Sequence, residues 1–258
     1  MFTKAIVRPP AANFSEGLTT SQLGPPDYEL AIKQHEAYCA ALHECGLSLT
    51  RLEVDPNHPD STFVEDTAVL TDYCFVVARP GAPSRSGEVA KIRSALASVS
   101  ATTPVATITA PGTLDGGDVC EAEKHFFVGI SQRTNEAGAR QLAELLAPFG
   151  YGSSLIDIRD TSGLLHLKSG LAYLGDNRLV INDALAGREE FAGYQLVRVE
   201  AREEYAANCI RVNETVLVAA GFPAFEGNLK DLGYRTMALE MSEFQKMDGG
   251  LSCLSLRL

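Results

Sequence analysis

Three residues far apart in the chain, Cys253, His166 and Asp115, could together carry out nucleophilic catalysis. A thiolate attacks electrophilic carbon, an imidazole carries protons to and from the leaving group, and a carboxylate fixes which ring nitrogen holds the proton. Cys253 follows Asp248-Gly249-Gly250, which predicts a tight turn and then a final strand over 251–258. His166 stands in Leu164-Leu-His-Leu-Lys-Ser-Gly170, and Asp115 in Gly112-Thr-Leu-Asp-Gly-Gly-Asp-Val119. Each also has an ordinary explanation: a packed thiol, a satisfied core histidine, an Asp-Gly turn. Asp118, in the same run as Asp115, is a second carboxylate that could orient backbone or assist the site.

A second set of residues could choose a substrate. Asp60, Glu65 and Asp66 crowd around Phe63-Val64, where apolar neighbours favour a pocket wall over a solvated face. Adjacent carboxylates match a planar guanidinium bidentately. Arg85 and Arg133 sit on loops where they could converge on an anion. Acids at one end and arginines at the other imply a zwitterion with a cationic tail, the shape of arginine and its derivatives.

The elements that must gather these residues come from an internal repeat. Small polar residues at Asp66, Asp118, Ser169, Asn208 and Ser252 each open a hairpin pattern, about 40–50 residues apart. Helical spacing is predicted between them, near 86–98, 135–147, 183–192 and 225–232, after a first helix over 27–45 whose inner face is Leu30, Ala31, Ala37, Tyr38, Ala41 and Leu42. The last copy has one strand only, and the strand over 4–8 completes it. Such units cannot bury their own apolar sides, and closing them into a ring removes free sheet edges. The prediction is a closed ring of five hairpin-plus-helix units forming one domain over 1–258, with the opening residues around a central funnel. A TIM barrel needs eight βα units, and a three-layer α/β sandwich is the alternative. Residues 11–26, rich in Gly, Ser, Thr and Pro, form a loop long enough to act as a lid.

Composition narrows the classes. A formal charge of -11 over 258 residues, with no basic run, speaks against nucleic-acid binding but suits attraction of small cations. Six scattered cysteines form no CxxC pair, so neither a disulfide scaffold nor a structural zinc site is expected. A membrane span and a signal peptide are not expected either, so the expected compartment is the cytoplasm; monomer and homodimer are both compatible with the sequence.

The chain resembles the dimethylarginine dimethylaminohydrolases (dimethylargininases) of the guanidine-modifying superfamily, from Ala5-Ile-Val-Arg8 to the C-terminus. The resemblance rests on Phe63-Val-Glu-Asp66, Arg79-Pro-Gly-Ala-Pro-Ser-Arg85, Leu114-Asp-Gly-Gly-Asp-Val119, Phe127-Val-Gly-Ile-Ser-Gln-Arg-Thr-Asn135, His166-Leu-Lys-Ser169, Ala207-Asn-Cys-Ile210 and Met241-Ser-Glu-Phe-Gln-Lys-Met-Asp-Gly249. It implies the five-bladed α/β propeller (pentein) fold of ββαβ repeats, with Cys253 as nucleophile, His166 as general acid and base, and Asp115 as the carboxylate that holds the histidine. Some members carry Glu there. It further implies that Asp66 grips the guanidinium, with Glu65 beside it, and that Phe63 lines the alkylated end. Arg85 and Arg133 would bind the substrate carboxylate, Asp60 and the Leu18 backbone would bind the amino-acid end, and Met247 and Asp248 would complete the pocket.

The implied activity is hydrolysis of dimethylarginine or monomethylarginine to citrulline, with no cofactor and no metal. Arginine or hydroxyarginine as substrate, and a non-catalytic binding propeller, are the alternatives. A zinc hydrolase lacks a ligand set, although Cys253 and His166 could capture stray zinc.

Overall fold

The structure, a computed structural model, describes residues 1–258. It contains five three-stranded sheets. β1 (Lys4–Val7) lies parallel to β2 (Ser48–Arg51). The next four sheets run in chain order: β3 (Ala68–Leu70), β4 (Phe75–Val77) and β5 (Val105–Thr107); β6 (Val119–Ala122), β7 (His125–Ile130) and β8 (Gly152–Asp157); β9 (Leu171–Gly175), β10 (Arg178–Asn182) and β11 (Gln195–Val199); β12 (Ile210–Val212), β13 (Thr215–Ala219) and β14 (Arg235–Leu239). In each, the first two strands are antiparallel and the third returns parallel to the middle one. β15 (Leu256–Arg257) then pairs antiparallel with β1 and closes the ring.

The period of a pleated strand explains why the middle strands are continuous apolar runs. Alternate side chains of one strand point to opposite faces, and in a ring both faces are covered by neighbouring blades. Ile6 packs with Phe75 and Val77, whereas Ala5 and Val7 pack with Leu217 and Ala219. Val76 packs with Val128, Phe127 with Leu179 and Ile181, and Val180 with Val216 and Val218. The core is therefore five apolar clusters, one in each gap between blades.

The crossovers are α1 (Tyr28–Glu44), α2 (Val89–Val99), α3 (Glu136–Leu146) and α4 (Pro223–Asp231). Asp27 caps α1 by accepting from the Leu30 N–H, and Asn135 caps α3 through Gly138. A short α5 (Ser242–Gln245) precedes the C-terminal turn. Three expectations change. The fourth crossover is not a helix over 183–192 but turns followed by a 3₁₀ segment, Glu189–Phe191. The Asn182 carbonyl accepts from both Leu185 and Ala186 and starts a turn there, and Gly187 follows. In α1, Leu30 and Ala37 face outward, while Gln34, His35 and Cys39 take the inner face. The final strand is only two residues long, because Ser252–Leu254 forms a 3₁₀ turn instead.

That turn belongs to a set. Short 3₁₀ segments at Val64–Thr67, Gly116–Asp118, Leu167–Ser169, Ala201–Ala207 and Ser252–Leu254 lie just before the five hairpins. Around the axis, the segment at 252–254 touches 64–67, 64–67 touches 116–118, 116–118 touches 167–169, and 167–169 touches 201–207. No helix is long and apolar enough to cross a membrane.

Candidate active site

Two backbone approaches shape the bottom of the funnel. A Cβ on Gly117 would lie 2.8 Å from Asp66 Oδ1 and 2.9 Å from the His166 ring, so only glycine lets those two side chains meet over this turn. A Cβ on Gly249 would strike the Phe63 ring at 2.2 Å, which puts Phe63 flat against the C-terminal turn. Phe63 is held from behind by Phe14 and Phe244, with ring centroids 5.8 and 6.3 Å away.

The resulting cleft is narrow, with a cavity volume of about 30 Å³. Cys253, His166, Asp115, Asp66, Asp60, Phe63, Arg85, Arg133, Leu18, Met247 and Asp248 all line it. Residues far apart in the chain, from Leu18 to Cys253, are thus brought together, although none between 167 and 246 lines the cleft. Glu65 is absent from the lining. Its carboxylate turns away from the cleft, bonded to Lys168 Nζ and accepting from Ser252 Oγ at 2.7 Å. Glu65, expected beside Asp66 at the substrate-binding end, is Asp66's neighbour in a 3₁₀ turn and points to another side. Leu165 and Gly249 line the cleft without having been singled out.

His166 is surrounded by three carboxylates. Asp118 Oδ2 is nearest, 3.3 Å from Nδ1; Asp66 Oδ1 and Asp115 Oδ2 lie 3.9 and 4.0 Å from Nε2. Burial pulls the imidazolium's pKa down, but Asp118 first, then Asp66 and Asp115, raise it to about 9. The carboxylate closest to the ring is therefore Asp118, not Asp115. Asp118 is itself fixed by Ser131 Oγ (2.6 Å) and the Leu167 N–H (3.0 Å). Asp115 spends one oxygen on the Gly81 N–H at 2.8 Å and leaves the other buried without a hydrogen-bond partner. Burial and the charge of Asp66 raise Asp115 to about 6.

Asp66 remains a strong anion. Burial works against its charge, yet Arg85, His166 and the Gly117 N–H (2.8 Å) hold it down at about 2. Cys253 is half-buried at the edge of the cleft, and its Sγ accepts from the Gly250 N–H at 3.4 Å. Burial, then Glu65 and Asp66, push its thiol up to about 12.

The two arginines differ. Arg85 is 5% exposed, clamped by Glu88 at 3.0 and 2.8 Å, by the Phe63 carbonyl at 2.9 Å, and by Asp66. It faces the cleft with much of its donor capacity already used. Arg133 has no protein partner for its guanidinium and is half-buried at the rim, where it is free to meet an anion. On the amino-acid side, Asp60 Oδ1 accepts from the Leu18 N–H at 3.0 Å, and Asp248 receives both the N–H and the hydroxyl of Thr20. The loop expected to act as a lid is thereby tied across the mouth.

A metal could find donors here. Single ligand atoms of Asp66, Asp115 and His166 lie within 4.8 Å of one another. This set uses two carboxylates in place of the expected Cys253 thiol, and a divalent ion would have to displace the His166 proton to bind.

No protein-family model matches the chain. It is 42% identical over 259 residues to the N(G),N(G)-dimethylarginine dimethylaminohydrolase of Pseudomonas aeruginosa, covering 100% of both chains. It is 36% identical to the protein of the same name from Streptomyces coelicolor, covering 99% of this chain and 96% of that one. A solved structure of the Pseudomonas aeruginosa protein, a cysteine-to-serine mutant complexed with citrulline, superposes with a TM-score of 0.96 at 41% identity over 100% of both chains.

Proposed function

The chain belongs to the dimethylarginine dimethylaminohydrolase family, and from that premise we propose how its own residues, as one catalytic unit over 1–258, carry out the reaction. The enzyme hydrolyses dimethylarginine through a cysteine nucleophile. The observation that carries the residue roles is that Cys253, His166, Asp66 and Asp115 line one cleft whose other rim holds the unpaired Arg133.

Asp66 accepts the guanidinium N–H groups, with the free oxygen of Asp115 beside it. Arg133 takes the substrate carboxylate, with Arg85 behind it, and Asp60 and the Leu18 backbone take the amino group. Phe63 and Leu165 present apolar surface to the alkylated nitrogen.

Before substrate arrives, burial first and then the charges of Glu65 and Asp66 keep Cys253 protonated. A cationic guanidinium bound at Asp66 beside the sulfur reverses that balance, so the thiol loses its proton to solvent as the substrate binds. His166 is already an imidazolium at neutral pH and cannot accept that proton. The thiolate then adds to the guanidinium carbon. The bond to dimethylamine breaks as His166 donates its proton to the departing nitrogen, which leaves an S-alkylthiouronium on Cys253. Now neutral, His166 removes a proton from water, hydroxide adds to the same carbon, and the C–S bond breaks as the adduct's hydroxyl proton passes to solvent, which gives citrulline and the thiolate. We propose that Asp118 holds the ring through both steps. Asp115 is too short to reach His166 while bound to Gly81; a glutamate there would have another methylene to span that gap.

Product analysis tests the reading. With arginine, monomethylarginine and dimethylarginine as substrates, citrulline should form with equimolar dimethylamine or methylamine from the methylated pair. Higher kcat/KM on arginine, with ammonia released, would overturn it.

A further inference from the structure

We propose that Asn208 is a positioning residue that fixes where Cys253 stands relative to His166, an inference that rests on those two acting as nucleophile and proton carrier. Asn208 is 8% exposed and is no part of the cleft lining. It lies at the end of the 3₁₀ segment Ala201–Ala207, in the blade between the one that carries His166 and the one that β15 completes. Its single carboxamide makes three hydrogen bonds across that gap. Nδ2 donates to the Lys168 carbonyl at 3.0 Å, within the turn that His166 opens, and to Ser252 Oγ at 3.1 Å. Oδ1 accepts from the Ser252 N–H at 2.9 Å, immediately before Cys253. Reversing the amide would set its NH₂ against the Ser252 N–H, so only one orientation satisfies every partner.

Two further observations make the arrangement specific. A Cβ on Gly250 would come within 2.5 Å of Asn208 Oδ1, so the amide is pressed against the backbone whose N–H contacts Cys253 Sγ. Glu65 closes the circuit from the other side by bonding Lys168 Nζ and accepting from Ser252 Oγ at 2.7 Å. Glu65, Lys168, Asn208 and Ser252 thus form a closed loop behind the cleft. It joins turns separated by long stretches of chain, and no covalent path nearby could set their spacing. The reaction needs that spacing twice, once when His166 protonates the amine leaving a carbon bound to sulfur, and again when it deprotonates the water attacking that carbon. A misplacement of about 1 Å at such a step costs on the order of 10²-fold in rate.

The test uses Asn208→Ala and the isosteric Asn208→Asp in the full chain. Asn208→Asp keeps the acceptor for Ser252 N–H, loses both donors, and carries the test if Asn208→Ala does not fold. The expected result is a kcat for dimethylarginine lower by ~10–100-fold, with the Kd measured by calorimetry in a Cys253→Ser background held within about twofold. The Asn208→Asp pH–rate profile should also move to higher pH, because its charge opposes the thiolate. A role in stability alone would lower the melting temperature and leave kcat within about twofold of wild type, and that result would overturn the proposal. A Kd that weakens in step with kcat would overturn it too. Labelling of Cys253 by a small chloroacetamidine, followed by intact mass, reads the same alignment without turnover. A protein that fails to hydrolyse methylated arginines would thus refute the reading of function while still reporting on Asn208, for which both variants should label at least ~10-fold more slowly.

Discussion

Asp66 meets two opposing demands. Burial would neutralise it, but Arg85 and the Gly117 N–H keep it ionised, and that charge is what a guanidinium can use. Replacing Asp66 with Asn removes a charge-assisted acceptor, a loss of ~1.5–3 kcal/mol or roughly 10–100-fold in KM for dimethylarginine. The same change should make Cys253 ionise at lower pH, since Asp66 is among the charges that raise its thiol. Steady-state kinetics and the pH dependence of iodoacetamide labelling check both halves; unchanged KM would refute the assignment. His166 makes a pH prediction. Its folded pKa of about 9 lies above the ordinary 6.5, so it stabilises the free protein fully below pH 6.5 and loses that contribution as pH rises through 9. The difference is on the order of 3 kcal/mol. Thermal melts from pH 6 to 10 should fall for wild type and be flatter for His166→Asn. Equal slopes would contradict the carboxylate cage. Residue identity made much of this legible: Cys253, His166, Asp66 and Arg133 have side chains whose chemistry predicts their use. Asp115 and Asp118, three positions apart in one Gly-rich run, could not be told apart without knowing which faces the imidazole.

Elements decide how firmly these residues are held. β15 is two residues long, yet it supplies the second partner of β1, and Leu256 packs with Ile6, Val64, Phe75 and Val77. Leu256→Ala should cost ~2–4 kcal/mol by opening a cavity between two blades. The denaturant midpoint would report that loss, and faster labelling of Cys253 by a neutral thiol reagent would show that the preceding turn had loosened. A midpoint unchanged from wild type would mean that closure contributes little. The hairpin openings and three of the four later crossovers follow from turn residues and helical spacing. The fourth crossover does not, because Ala184, Leu185 and Ala186 have helical propensity, but the Asn182 carbonyl takes two N–H groups into a turn at the strand end. The 3₁₀ form of 252–254 was equally hidden, since an apolar run of that length reads as strand until its pairing partner is known.

For the molecule as a whole, a formal charge of -11 surrounds a cleft that takes a cation. Long-range attraction of that kind is screened by salt. Between about 20 and 500 mM NaCl, kcat/KM for dimethylarginine should fall by ~2–5-fold, mainly through association. A rate independent of ionic strength would show that the local pocket, and not the global field, governs capture. Ring topology also explains why residues from position 18 to position 253 share one small volume: the axial turns of four blades bring Asp66, Asp115, His166 and Cys253 to it, while the turn over 201–207 supplies no lining residue.

The sequence by itself determined the repeat, the ring and most of the residue types around the ligand, because apolar periodicity and turn chemistry are local properties that each copy carries in its own residues. Only the tertiary structure decided direction. Whether Glu65 faces the cleft or Ser252, whether Arg85 is free or clamped by Glu88, and which carboxylate lies nearest His166 depend on side chains from other blades competing for the same few ångströms. Position along a polymer carries no information about that competition; packing around a common axis creates it.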